Sequence, residues 1–251
     1  MSRNRPFVLT IAGFDPSGGA GVLADCKTFE QHQVYGLAIN TGNTIQTEKD
    51  FFEIEWTSLD FVLQSIKTLF GNYDIKVVKI GIVPSLLYLK EIIFNIKELS
   101  SKTQIVWDTV LKSSTEFDFI TVENKSDLSE ILSKIDLITP NYNEIKKLFP
   151  DFDFNQSLLN KQIQTAILLK GGHNTKAIGT DHLYSQNEIF MLPPNTTKCY
   201  AKHGSGCVLS SAITANLALG QDLKSACINA KNYIEKYLNS SSTLIGYHYV
   251  Q

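Results

Sequence analysis

Short apolar runs alternate with longer amphipathic segments along most of this chain, and glycine-rich turns close several of the runs. Strands that recur between helical patterns build a mostly parallel sheet with helices on both faces. Strands are predicted over residues 7–12, 35–41, 75–80, 104–107, 137–138 and 166–169. Helices are predicted over about 19–32, 59–70, 85–99, 128–134, 143–149, 205–219 and 223–238. The stretch 174–199 reads as extended, since Pro193-Pro194 excludes a helix there. A small antiparallel flap at the sheet edge is the expectation. Sheets of this kind bind ligands beyond the carboxyl ends of their strands. The loops that matter are then 13–21, 42–46, 81–84, 108–110, 139–141, 170–173 and 204–207.

Bulk properties narrow the function. With 251 residues the chain suits one large α/β domain or two small ones, and it can bury a core without disulfides. A net charge of -2 and a charged fraction of 19% give no footing for nucleic acid or a membrane surface. The apolar run 7–12 is too short for a signal segment, and no apolar stretch approaches a membrane span. Four cysteines without a C-x-x-C pair argue against zinc and redox sites and for a cytoplasmic setting. Cys26, Cys199 and Cys227 read as structural. Arginine occurs only at Arg3 and Arg5. Negative charge in a reaction must therefore meet backbone N–H groups, lysine or a metal ion.

The run Lys202-His203-Gly204-Ser205-Gly206-Cys207 leads into a helix whose Val208, Ala212, Ala215 and Leu219 fall at helical spacing. Glycines beside a helix N-terminus make an anion cradle. Cys207 at its lip reads either as a small apolar packing residue or as a thiol with a lowered pKa, fit to act as a base. The first loop, Gly13 to Gly21, contains Gly19-x-Gly21-x-x-Ala24, a formal dinucleotide fingerprint. Six residues separate it from the first strand and the acidic residue due after strand two is missing, so a nicotinamide-dependent oxidoreductase is rejected. Close approach of backbone to a small ligand is the preferred reading.

Other residues stand at strand ends. Asp108 lies where metals and phosphates are met. Thr139-Pro140-Asn141-x-x-Glu144 offers either a strand stop with a helix start, or nucleotide contact by Asn141 and Mg²⁺-water contact by Glu144. Lys170, before Gly171-Gly172, is placed to bind phosphate. Gln46 can pair donor and acceptor with a heteroaromatic amidine edge.

In order along the chain, Ile11-Ala12-Gly13-Phe14-Asp15-Pro16-Ser17-Gly18-Gly19-Ala20-Gly21, Ala24-Asp25-x-Lys27-Thr28-Phe29, Lys79-Ile80-Gly81, Asp108-Thr109-Val110, Thr139-Pro140-Asn141-x-x-Glu144, Lys170-Gly171-Gly172-His173 and His203-Gly204-Ser205-Gly206-Cys207 resemble the motifs of the hydroxymethylpyrimidine/phosphomethylpyrimidine kinases of thiamine biosynthesis. The resemblance implies one ribokinase-like domain over residues 1–251. It implies ATP- and Mg²⁺-dependent phosphorylation of 4-amino-5-hydroxymethyl-2-methylpyrimidine, then of its monophosphate, and a homodimeric enzyme. Gly13, Ala20, Asp25 and Gln46 would surround the pyrimidine, with Ile82 and Val110 as apolar walls. Lys170 and Asn141 would meet the nucleotide, and Asp108 and Glu144 the metal. Gly204, Ser205 and Gly206 would hold the transferring phosphoryl, and Cys207 would take the hydroxyl proton. Phe14, Lys202 and Ser205 depart from the family pattern, and the segment 111–117 lacks a glycine, which suggests an altered lid. The alternatives are a pyridoxine/pyridoxal kinase on the same fold and a non-catalytic ligand sensor. Retention of Lys170, Asp108 and Cys207 together argues against the sensor.

Overall fold

The computed structural model describes residues 4–111, 119, 125–150, 165–173, 177–185, 188–196 and 198–249. Of the altered lid expected at 111–117, residues 112–117 lie outside them, as do 174–176, 186–187 and 197 of the expected extended stretch. Strands β1 (Phe7–Phe14), β2 (Tyr35–Gln46), β3 (Phe51–Trp56), β4 (Ile75–Ile80), β5 (Gln104–Trp107), β6 (Leu137–Ile138), β7 (Ala166–Leu169), β8 (Asp181–Ser185) and β9 (Glu188–Leu192) form one sheet among the described residues. Its order is β3-β2-β1-β4-β5-β6-β7-β8-β9. The span from β2 to β7 is parallel. The two ends are antiparallel, and β8 with β9 is the flap predicted from the extended stretch.

Strand alternation decides which helices cover which face. Leu9, Ile11, Val78, Ile80, Ile105, Trp107, Ile167 and Leu169 point to one side. There they meet α2 (Leu59–Phe70), α3 (Leu86–Leu99), α4 (Lys125–Leu132) and α5 (Tyr142–Leu148). Val77, Val106, Leu137, Ala166 and Leu168 point to the other. They meet α1 (Gly21–Gln31), α6 (Ser205–Ala218) and α7 (Leu223–Leu238). Helix α6 is buried continuously from Val208 to Leu217. Its small residues allow that, and its buried Ser210, Ser211, Thr214 and Asn216 each donate a side-chain hydrogen bond.

The sequence reading of 42–46 as a loop is corrected. Strand β2 runs on to Gln46 and pairs with β3, which the pattern did not reveal. The turn is local: Thr47 N–H donates to Asp50 C=O, and Thr47 Oγ1 accepts from the N–H groups of Lys49 and Asp50. Strand β3 lies at the sheet edge, and its Phe-Phe-Glu-Ile-Glu-Trp order lacks the continuous apolar run that marks a central strand.

Strand β1 lies between β2 and β4, so successive connections leave it in opposite directions. That switch point opens a crevice beyond the strand ends.

Candidate active site

The crevice is a continuous cavity of about 1330 Å³. Gly13, Ala20, Gln46, Ile82 and Val110 border it, as do Asp108, Asn141, Glu144, Lys170 and the turn Gly204 to Cys207. Gln46 ends β2 and Lys170 follows β7, five strand steps away, or roughly 24 Å at the usual spacing. The cavity is therefore long enough for two molecules laid end to end along the sheet. Phe51 and Phe119 wall the Gln46 side, their rings edge-on at 5.5 Å.

The cradle forms as its residues dictate. Gly204 takes the left-handed region at φ 71, and a Cβ there would sit 2.0 Å from Gly19 C=O. Only glycine permits both. Gly204 is the N-cap of α6 and supplies no side-chain cap, so the first N–H groups of the helix stay open to a ligand. A Cβ on Gly206 would lie 3.4 Å from Lys170 Nζ and 3.7 Å from an Asp108 carboxylate oxygen. The open helix end, the lysine and the carboxylate thus face one space.

Lys170 stands between two carboxylates, at 3.1 Å from Asp108 and 3.8 Å from Glu144. Burial opposes its charge, but Asp108 and Glu144 more than restore it, so the ammonium is held charged. Burial would raise Asp108; the charges of Lys170 and Lys79 and hydrogen bonds from Lys170 and Thr139 hold it below the usual carboxylate range. Glu144 goes the other way, since burial lifts it more than Lys170 lowers it. Asn141 accepts from the N–H groups of Asn143 and Glu144, while Glu144 accepts from Asn141 N–H, a complete capping box. The helix-start reading of this motif therefore holds, and the Asn141 side-chain oxygen is committed to the cap. Asp108 and Glu144 supply hard oxygen donors beside a phosphate-ready lysine. That set fits Mg²⁺, which is held by one or two carboxylates together with substrate phosphates.

Cys207 is half-buried. Burial pushes its thiol up to about 11; Lys79 and the Gly21 N–H pull it down, while Asp108 and Asp25 add to the rise. The expected low-pKa thiolate is thus corrected. The helix N-terminus is outweighed by loss of water and by two nearby carboxylates.

The phosphomethylpyrimidine kinase family matches residues 15–250. The chain belongs to that family. It is 32% identical over 245 residues to the hydroxymethylpyrimidine/phosphomethylpyrimidine kinase of Aquifex aeolicus, covering 94% of this chain and 95% of that one. The phosphomethylpyrimidine kinase of Clostridium difficile 630 superposes with a TM-score of 0.76 at 31% identity, covering 92% of this chain and 98% of that one. A Bacillus subtilis pyridoxal kinase solved with ADP gives 0.80 at 26%, covering 93% and 91%. The ribokinase-like fold and the phosphotransferase class follow.

Within this kinase, one expected site residue is displaced. Asp25 does not border the cavity: it is fully buried, and its oxygens accept from Thr10, Lys79 and Ser211. Its place on the buried face of α1 turns it inward, toward the strand bearing Lys79. Cys199, read as structural, is exposed and borders the cavity. Sequence reasoning quoted Asp15, Lys79 and His203 within motifs but gave them no role. It also missed Lys231, buried between Asp181 at 2.8 Å and Glu235 at 3.8 Å. Asp181 in turn accepts from Gly171 N–H, next to Lys170. A lysine in the last helix and an aspartate in a flap strand carry no local signal of that meeting.

Proposed function

We propose that this enzyme phosphorylates 4-amino-5-hydroxymethyl-2-methylpyrimidine with ATP, and then its monophosphate. The observation that carries the reading is the meeting of the open α6 N-terminus with Lys170 at Gly206. That corner would hold the moving phosphoryl, and the long cavity leaves the Gln46 side for the ring. Gln46 reads the aminopyrimidine edge, between Ile82 and Val110, with Gly13 and Ala20 as backbone neighbours. Lys170 shifts from Asp108 and Glu144 onto the nucleotide phosphates. The amides of Gly204, Ser205 and Gly206 stabilise the equatorial oxygens as charge spreads over them. Cys207 first gives its proton to water, then takes the hydroxyl proton. Over the same step the new O–P bond forms and the bond to the leaving ADP oxygen breaks. Asp108 and Glu144 would hold Mg²⁺, which when bound neutralises charge on the phosphates. Asn141 remains the candidate neighbour of the nucleotide through its backbone and cap position.

The one nine-stranded sheet among the described residues supports a single kinase domain. A cytoplasmic, homodimeric enzyme is part of the same reading. No described helix is long and apolar enough to cross a membrane. A pyridoxal kinase is the second reading, favoured by the likeness to the B. subtilis enzyme. ATP consumption measured side by side with the hydroxymethylpyrimidine and with pyridoxal separates the two. Turnover of pyridoxal alone would overturn the pyrimidine reading.

A further inference from the structure

Lys231 on α7 is buried and borders the cavity, and the chemistry above gives it no task. Its Nζ donates to Asp181 at 2.8 Å and to Gly179 C=O at 2.6 Å, with Glu235 at 3.8 Å. Each of these partners holds a further backbone group. Asp181 divides its oxygens, Oδ2 to Lys231 and Oδ1 to Gly171 N–H at 2.7 Å. Gly179 N–H donates to Gly171 C=O at 3.0 Å. Glu235 accepts from Asn195 N–H at 2.9 Å. One ammonium thus reaches the turn after β7, the start of β8 and the segment that follows β9.

Gly171 links this network to the site. It follows Lys170 directly, and a Cβ on it would sit 1.9 Å from Thr180 C=O, so the turn is pressed against the start of the flap. Lys170 N–H donates to Pro140 C=O at 2.9 Å on the other side. The backbone that carries the Lys170 ammonium therefore hangs between two anchors, and one of them runs through Asp181 to Lys231. Charge-assisted bonds of this kind are strong and directional. A buried ion cluster adds little stability over apolar side chains of equal volume, and its best-attested use is to fix one arrangement.

We propose that Lys231 is a positioning residue for Lys170: through Asp181 it fixes the Gly171 turn, and so places the Lys170 ammonium for the nucleotide phosphates. This rests on the reading of Lys170 as a phosphate ligand. Gln46 ends β2, on the far side of the sheet from β7, so the network leaves the pyrimidine end alone.

Binding without turnover tests this. Affinities of the full chain for a non-hydrolysable ATP analogue and for the hydroxymethylpyrimidine are measured separately by isothermal titration, in Asp181→Ala, Lys231→Met and the double variant. Each single variant should weaken the analogue by roughly tenfold or more, the loss for one charged hydrogen bond. The pyrimidine should bind within about twofold of the unaltered enzyme, and the double variant should be within about twofold of the weaker single, because both substitutions cut one path. Asp181→Ala leaves one ammonium facing one carboxylate, and the double variant leaves Glu235 on Asn195 N–H, so these two carry the comparison where Lys231→Met does not fold. Three results would each overturn the proposal: unchanged analogue affinity in folded Asp181→Ala, additive losses in the double variant, or equal weakening of both ligands with a lowered Tm, the mark of a purely structural role. Lys170→Ala is the separate check. Unaltered analogue affinity in that variant would remove Lys170 as a phosphate ligand and sink the reading beneath. A loss there with none in Asp181→Ala would sink this proposal alone.

Discussion

His203 Nε2 lies 2.9 Å from the Asp15 carboxylate and ties the first loop to the turn that opens α6. Asp15 also accepts from Ser17 Oγ, Ser17 N–H and Ala20 N–H, so one carboxylate organises the loop that borders the cavity. His203 N–H donates to Leu244 C=O, and Lys202 Nζ to Ser241 C=O, which anchors the C-terminal segment to the same turn.

Removing this tie should affect both acid stability and binding. Burial raises Asp15, but hydrogen bonds from His203 and Ser17 outweigh it and hold the group below the usual carboxylate range. The folded value is below the unfolded one, so the contribution is present above about pH 4 and is lost as pH falls through the folded value. His203→Ala should therefore move acid unfolding, followed by circular dichroism, to higher pH. The pyrimidine KM should rise with it. An unmoved acid midpoint would show that the contact contributes nothing.

Gln46→Leu should leave polar groups of the bound ring unpaired, at a cost of about 1–3 kcal/mol. The pyrimidine KM rises and ATP affinity stays. Isothermal titration with each ligand decides it; equal pyrimidine affinity in the variant removes Gln46 from the site.

Lys170→Ala should lower kcat by ~10²–10³, the range for losing one preorganised charge donor. It should also lower Tm, because Asp108 and Glu144 are left without their cation. Lys170→Arg should rescue poorly, since a planar fork does not replace a point charge seated between two carboxylates. Full activity in either variant contradicts the assignment.

Cys207 should alkylate slowly at neutral pH in the ligand-free enzyme, as a thiol pushed up to about 11 requires. Cys207→Ser should cut kcat by ~10²–10⁴ with binding largely kept, the usual loss for a positioned base. Fast labelling near neutral pH would contradict the burial argument.

The parallel sheet, both helical faces and the antiparallel flap were legible because period and punctuation are local signals. The β2–β3 hairpin was not, since the end of β2 is polar and carries Gly42, and β3 is a short edge strand without a continuous apolar run. The cradle could be read from Gly204 and Gly206 because backbone shape is written in the glycines themselves. Asp25 was misplaced for the opposite reason. Its motif position is fixed by sequence, but its inward direction is set by Lys79 and Ser211, 54 and 186 residues away. The raised thiol of Cys207 has the same origin, being a sum over neighbours that only the fold assembles.

Lys170 sits as an internal counterion between Asp108 and Glu144 before any nucleotide arrives. One internal ammonium thus faces two buried carboxylates and offsets part of their charge within the fold. On the proposed function, nucleotide arrival would be an exchange of partners for a cation already largely withdrawn from water. Much of the cost of stripping water from the lysine is met during folding, before the substrate is met at all.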